Sequence, residues 1–170
     1  DLVMLNMISG SCNVPMPEAE AEKHVRSYLE SGRNIFLLHN ASAAFWQWDW
    51  WRQLVGYRWV RTGDPEGAPS SSHPVKPFTV TVAQSEHPLR ALLTELRIRM
   101  DEMCIGLLQM RPCEVIMEAN TDGQAFPMCY ETVTPWRGRI VGYIPGHAPE
   151  TIRLPANIAN CRAIVDYLLA

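Results

Sequence analysis

Three positions with polar, chemically active side chains stand directly after predicted β-strands. They are His39 after the apolar strand 34–38, Asp101-Glu102 after the strand 96–100, and His147 after the strand 139–144. In open α/β sheets the carboxyl ends of parallel strands lie along one edge, and ligands bind there. We therefore expect two imidazoles and an acid, distant in sequence, to converge at one edge of a sheet.

Two kinds of chemistry suit this set of side chains. His39, Glu102 and His147 could bind a divalent metal, zinc or manganese. The same groups could act as general acid and base on a carbonyl or glycosidic substrate. A structural role is the alternative for each residue, because a histidine after a strand can simply be hydrogen-bonded and Asp101 can cap a turn. The coincidence of three strand ends favours a functional site.

The elements that position these residues alternate between strand and helix. We expect strands at 2–7, 34–38, 78–83, 96–100, 115–118, 128–133 and 139–144, helices at 18–30, 41–55, 88–93 and 156–169, and a loop over 62–77. The run 2–7 is almost continuously apolar, as in a strand buried on both faces of a parallel sheet. The alternation predicts an α/β layered fold.

The segment Leu38-His39-Asn40-Ala41 resembles a nucleophile elbow in outline, with a strand, a sharp turn and a helix. Covalent amide hydrolysis requires a cysteine or serine at such a turn. A histidine occupies it here, and none of Cys104, Cys113 and Cys129 lies at a comparable turn. The sequence therefore argues against a cysteine-dependent glutamine amidotransferase.

Length and composition exclude several classes of protein. The 170 residues suit one domain, 1–170, and the net charge of -3 gives no basic face for nucleic acid. No apolar run is long enough to span a membrane. Five scattered cysteines without a CxxC pair predict reduced thiols and a cytoplasmic location. The chain starts inside a predicted strand at Asp1, so we expect an upstream segment to be missing.

Two further patterns involve aromatic and histidine residues. The segment 45–51 contains four tryptophans, and Trp46, beside His39, is the candidate platform on which a sugar ring could stack; core packing and a dimer contact are the alternative. His73-Pro74 and His87-Pro88 flank the predicted strand 78–83. A His-Pro pair is by itself an ordinary turn.

The order of these short motifs resembles the ThuA-like (trehalose utilisation) family, within the class I glutamine amidotransferase-like superfamily. The matching residues are Leu38-His39 with Phe45, Trp48, Leu54 and Gly56, then His73-Pro74, His87-Pro88-Leu89, Asp101-Glu102, Pro135-Trp136 with Gly138-Arg139, and Gly146-His147. Each motif is weak alone, and their order and spacing across the whole chain carry the resemblance.

The resemblance implies a flavodoxin-like or class I glutamine amidotransferase-like three-layer sandwich, α/β with a mostly parallel sheet, lacking its N-terminal strand-helix unit. It also implies a role in sugar metabolism near trehalose and keto-glycosides. The family's polar residues correspond to His39, His73, His87, Glu102 and His147. The sequence departs from the family where Met103-Cys104 replaces an aromatic residue, and where Ala148 replaces an acidic one.

We therefore expect an enzyme that isomerises or hydrolyses a small keto-glycoside, with a divalent metal in the same cleft. The expected catalytic and metal-binding residues are His39, Glu102 and His147, and the expected substrate-binding residues are His73, His87, Trp46 and Asp101. A non-catalytic carbohydrate-binding or assembly module on the same fold is the alternative. A homodimer is expected in either case.

Overall fold

The computed structural model describes residues 1–10 and 14–170. The strands are β1 (Val3–Leu5), β2 (Ile35–Leu38), β3 (Tyr57–Arg58), β4 (Val75–Val82), β5 (Leu96–Glu102), β6 (Leu108–Gln109), β7 (Glu114–Thr121), β8 (Gln124–Val133) and β9 (Arg139–Tyr143). The helices are α1 (Ala19–Glu30), α2 (Asp49–Leu54), α3 (Pro149–Ile152) and α4 (Pro155–Leu169), with 3-10 turns at His39–Ala43 and Pro88–Ala91. Cys12 lies outside the described residues, and the other four cysteines form no disulfide.

The main sheet contradicts the predicted flavodoxin-like or amidotransferase-like sandwich with a mostly parallel sheet. In the described part of the chain it has seven strands in the order β1-β2-β9-β8-β7-β4-β5. Only the β1–β2 and β2–β9 pairs are parallel, whereas the other four pairs are antiparallel. The sheet is therefore mixed, mostly antiparallel and accompanied by few helices.

Short connections between successive strands explain two of the four antiparallel pairs, β7–β8 and β8–β9. Parallel neighbours require a crossover of about a dozen residues or more, whereas antiparallel neighbours can be joined by a two-residue hairpin. Asp122 and Gly123, both with positive φ, join β7 to β8 in such a hairpin. Residues 134–138 join β8 to β9. Only the first connection, through α1, has the crossover that makes β1 and β2 parallel.

Strand direction nevertheless brings three strand ends to one edge. β2 and β9 are parallel, and the four antiparallel steps from β9 to β5 restore the same direction. In a flat sheet, the five spacings between β2 and β5 would separate them by about 24 Å. The side chains at their ends lie 3.6 Å apart, between His39 Nε2 and Glu102 Oε2. The sheet must therefore curl strongly.

Two apolar clusters cover the faces of the β2–β9 region. Ile35 and Leu37 of β2 point to a cluster built with Leu29 of α1 and the tryptophans of α2. Phe36 points to the other face, where Ile164 and Leu168 of α4 close the larger cluster. This alternation follows from the two-residue period of a strand. The end of β2 is thus fixed from both sides, which holds His39 in place.

Two local predictions were wrong. The helix expected over 41–55 is instead a 3-10 turn followed by the short α2, because Phe45 has a φ of 52° that interrupts helical geometry. The ring of Phe45 stacks on Trp48 with centroids 4.2 Å apart, which stabilises this break. The loop expected over 62–77 ends earlier, since β4 begins at Val75. Across the described residues, no helix combines the length and apolarity needed to span a membrane.

Candidate active site

Glu102, at the end of β5, is surrounded by three histidines. Its Oε2 lies 3.6 Å from His39 Nε2, and its Oε1 lies 3.4 Å from His73 Nδ1 and 3.7 Å from His147 Nε2. The His39 and His147 rings are 5.3 Å apart between centroids. We call these four residues, together with Asp101, the Glu102 cluster. The expected convergence of His39, Glu102 and His147 is thus present in the geometry.

His39 is held in one orientation and one tautomer. It stands at the junction of β2 and the 3-10 turn with a φ of 51°, an uncommon conformation for a residue with a Cβ, of the kind that clusters at functional sites. Its Nδ1 lies 2.9 Å from the carbonyl oxygen of Ile144. Because a carbonyl only accepts, Nδ1 carries the proton and the neutral ring has its lone pair on Nε2, which faces Glu102.

Burial lowers the pKa of His39 below its ordinary value of 6.5, and the hydrogen bond to Ile144 and the charge of Glu102 oppose this shift only in part. A lowered histidine pKa means that the ring is neutral at pH 7. The neutral form can accept a proton or bind a metal ion through Nε2. The neutral state and the orientation of His39 are therefore compatible with both predicted roles, proton transfer and metal binding.

Asp101 is the most deeply buried member of the Glu102 cluster. Its side chain is fully buried, and its Oδ1 accepts hydrogen bonds from the backbone N–H groups of Glu102 and Ala148, each at 2.8 Å. His147 Nδ1 is 3.9 Å from the same oxygen, beyond hydrogen-bond distance but within electrostatic contact. Asp101 thus fixes the loop after β9 on the end of β5. Burial suits it to orienting His147 rather than to contacting a ligand.

His73 reaches the site because its loop is tied to the chain beyond β5. Ser72 and Ile105 exchange two backbone hydrogen bonds, and Met103 N–H donates to Pro74 O at 3.0 Å. The indole of Trp59 packs against the imidazole of His73 with ring centroids 5.5 Å apart. These contacts hold His73, an expected substrate-binding residue, next to Glu102. They also reveal Trp59, which sequence reasoning missed, as an aromatic residue next to the site.

A cleft of about 730 Å³ opens beside Glu102 and His147, between β5 and the chain around α3. Pockets of roughly 300–1,000 Å³ hold small organic ligands, so a disaccharide is of suitable size. Besides Asp101, Glu102 and His147, its wall contains Val75, Arg97, Arg99, Met100, Ala148, Glu150, Thr151 and Leu154. Half of the His147 side chain is exposed, at 57%, so this imidazole can touch a ligand in the cleft.

The most compact group of potential metal ligands differs from the predicted one. Among the described residues, His39, Glu102 and Cys104 place one potential ligand atom each within 4.8 Å of the others. His147, the predicted third ligand, is not part of that group. Cys104 was missed because a buried cysteine usually behaves as a small apolar residue. The available signal was its spacing of two from Glu102, which puts side chains of an extended segment on one side.

His87 is not brought to the site. His73 precedes β4 and His87 follows it, and a strand of eight residues is about 26 Å long. The two histidines therefore belong to opposite edges of the sheet. His87 lies 3.4 Å from Glu131 of β8, where it is almost fully buried.

Trp46, the predicted sugar platform, contacts two arginines. The guanidinium groups of Arg52 and Arg61 lie over its ring at 5.3 and 5.1 Å from the ring centre. Arg52 also donates to the backbone oxygen of Trp46 at 2.5 Å. These contacts indicate that Trp46 packs against arginine side chains, and Trp59 is the tryptophan that contacts a histidine of the cluster.

Several solved structures share this fold. A ThuA-like protein from Parabacteroides merdae ATCC 43184 has a TM-score of 0.70 at 19% identity, covering 95% of this chain and 68% of that one. A ThuA-like protein from Bacteroides uniformis ATCC 8492 has a TM-score of 0.70 at 15% identity, with coverages of 98% and 68%. A cytoplasmic protein from Salmonella typhimurium LT2 has a TM-score of 0.68 at 10% identity, with coverages of 99% and 71%. These identities establish a common fold alone.

The family follows from the sequence match. The model of the ThuA family, described as trehalose utilisation, matches residues 2–163, which is nearly the whole chain. The chain belongs to the ThuA (trehalose utilisation) family, so its role is related to sugar metabolism. The predicted resemblance is confirmed. No curated protein matches the chain.

Proposed function

We propose that this protein is a cytoplasmic enzyme that transfers protons on a trehalose-related keto-glycoside bound in the cleft beside the Glu102 cluster. The single observation that carries the proposal is the environment of Glu102, whose carboxylate has imidazole nitrogens of His39, His73 and His147 within 3.4–3.7 Å. Membership of a trehalose utilisation family supports a sugar as the ligand. The name of the Salmonella relative supports the location.

The chemistry follows from the ketone of such a substrate. A carbonyl group acidifies the C–H bond beside it, so a positioned base can remove that proton while an acid protonates the carbonyl oxygen. Glu102 is the proposed base and His147, half exposed in the cleft, the proposed acid. The product is an enediol or enol, and Glu102 then holds the proton that it removed.

Two outcomes branch from this enol. If the proton is returned to the former carbonyl carbon, the ketone moves to the adjacent carbon and the product is an isomer. Loss of the glycosidic oxygen, protonated by an acid of the cluster, gives an unsaturated ketone that adds water and completes hydrolysis. Both routes share the first C–H cleavage. That step is therefore the one to test.

The test measures exchange of the proton next to the ketone in D2O, followed by NMR on a keto derivative of trehalose. Wild-type protein should exchange it faster than buffer, and Glu102→Gln should slow the exchange by about 10²–10⁴-fold. His24→Ala, an exposed histidine on α1, is the matched control and should exchange at the wild-type rate. Binding of the sugar without exchange or product would refute the enzyme and support a non-catalytic carbohydrate-binding module.

A further inference from the structure

Cys104 adds a third type of donor atom to the Glu102 cluster. Its Sγ, a nitrogen of His39 and a carboxylate oxygen of Glu102 all lie within 4.8 Å of one another. Bonds of about 2.0–2.3 Å in a tetrahedral zinc site place neighbouring ligand atoms roughly 3.3–3.8 Å apart. The distance from His39 Nε2 to Glu102 Oε2, 3.6 Å, already lies in that range. The other two separations are at most 4.8 Å, so the ligand atoms need to approach one another by up to about 1 Å to surround one ion.

We infer that His39, Glu102 and Cys104 form a binding site for a thiophilic divalent ion such as zinc. This inference concerns the site on which the proposed function rests, and it assigns the metal to a ligand set that includes a thiolate and excludes His147. A thiolate favours zinc, whereas manganese and magnesium prefer carboxylate, carbonyl and water ligands. Of the two metals predicted from sequence, the donor set selects zinc.

The surroundings of the ligands support the same assignment. The Ile144 carbonyl accepts from the Nδ1–H of His39, and metal-binding histidines are usually oriented by such a contact on the nitrogen that does not bind the ion. Asp101, Glu102 and Cys104 also place three potentially anionic groups within four positions of the chain. Asp101 Oδ2 is buried without a hydrogen-bond partner among the described residues. A nearby divalent cation would offset this concentration of negative charge.

The side chains around the proposed ion differ in solvent exposure between the interior and the cleft. Cys104 is fully buried and His39 nearly so, which closes the interior side. His147 is about half exposed and lies beside Glu102 in the wall of the cleft. His73 is also about half exposed and lies 3.4 Å from Glu102. Three protein ligands, with the remaining position facing a cleft, is the arrangement of catalytic rather than structural zinc sites. Glu102 Oε2, which faces His39, would bind the ion, whereas Oε1, which faces His73 and His147, stays available as the proposed base.

Metal binding can be measured without turnover. The full chain is stripped with a chelator and titrated with Co²⁺, and the absorbance is followed in the near ultraviolet, where thiolate-to-cobalt charge transfer is seen. We expect one equivalent of Co²⁺ to produce this band and Zn²⁺ to displace it, whereas Mn²⁺ should compete poorly. Cys104→Ser should abolish the band and weaken Zn²⁺ binding by at least about 100-fold.

Cys113→Ser is the control, because Cys113 is a partly buried free cysteine that lines a separate pocket together with Glu131. It should keep the wild-type band and affinity. Glu102→Gln, which preserves shape, provides a second variant if Cys104→Ser does not fold, and it should weaken Zn²⁺ binding to a similar extent while retaining the thiolate band at high Co²⁺. A wild-type protein without the band, or a Cys104→Ser protein that retains it, would overturn the inference.

Proton exchange separates this inference from the proposed function. Zinc binding with the expected dependence on Cys104, but without exchange in either form, would leave the metal site standing and refute the enzyme. Full exchange by wild-type protein that shows no cobalt band would leave the enzyme standing and refute the metal site. Exchange that is lost on chelation and restored by Zn²⁺ would support both.

Discussion

Two clusters of histidine and glutamate occupy opposite edges of the same sheet. One is the Glu102 cluster; the other, which we call the Glu131 cluster, consists of His87, Glu131, Arg139 and Tyr167. In each, an imidazole nitrogen lies 3.4 Å from a carboxylate oxygen. The side chain of His87 is only 3% exposed, whereas that of His147 is 57% exposed. Similar chemical groups are thus enclosed at one edge and open to a ligand at the other.

The Glu131 cluster also uses its polar atoms for structure. His87 Nδ1 accepts from the N–H of Leu89, so it caps the 3-10 turn at Pro88–Ala91. The proton must then be on Nε2, which faces Glu131 and the hydroxyl of Tyr167. Arg139 adds a cation beside Glu131. Residue type therefore does not distinguish the two clusters; exposure and the use of each nitrogen do.

The largest expected difference between the clusters is in the response to removing a histidine. His147→Ala should slow the α-proton exchange by about 100-fold, because it removes the exposed acid, and should leave stability unchanged. His87→Ala should leave the exchange rate of folded protein unchanged and lower the free energy of unfolding by about 1–3 kcal/mol, because a cap and a buried partner are lost. NMR exchange and urea unfolding measure the two effects. Slower exchange in His87→Ala would break the comparison.

Replacing the glutamate of each cluster by glutamine should also affect the stability of the protein differently. Glu131→Gln keeps the shape of the side chain but removes the negative charge between His87 and Arg139. We expect it to lower the free energy of unfolding by about 1–2 kcal/mol, since the buried carboxylate loses its ion-pair contacts with His87 and Arg139. Glu102→Gln, on the more open cluster, should be neutral or stabilising under the same conditions. A Glu102→Gln protein that is the less stable of the two would assign Glu102 a structural role.

The smallest expected effect compares two tryptophans. Trp59→Ala should raise the KM for a keto-glycoside by about 10-fold, equivalent to about 1.4 kcal/mol, because it removes the indole that supports His73 next to the cleft. Trp46→Ala should leave KM unchanged, because that ring packs under Arg52 and Arg61. Saturation kinetics on both variants test this. An increase in KM for Trp46→Ala alone would restore Trp46 as the sugar platform.

The strand order could not be inferred from the apolar runs, although several strands were located well. The runs at 34–38 and 139–144 match β2 and β9, and the last helix matches α4. Pairing depends on connection lengths and on contacts between distant segments, which apolar periodicity does not encode. The predicted meeting of His39 and Glu102 relied on a parallel sheet, yet an even number of antiparallel steps gives the same edge. The geometry agrees with that prediction for a different reason.

The sequence by itself determined the family, the chemical types of the candidate groups and the ends of the strands that carry them. The sequence also implied that His73 and His87 lie far apart, because they stand on either side of one strand and must lie at its two ends. Only the tertiary structure decided which groups meet. The curl of the sheet brings β5 to β2 and draws Cys104 beside His39 and Glu102. Curl depends on how the seven strands pair and twist relative to one another, whereas residue type and strand periodicity are local properties of the chain.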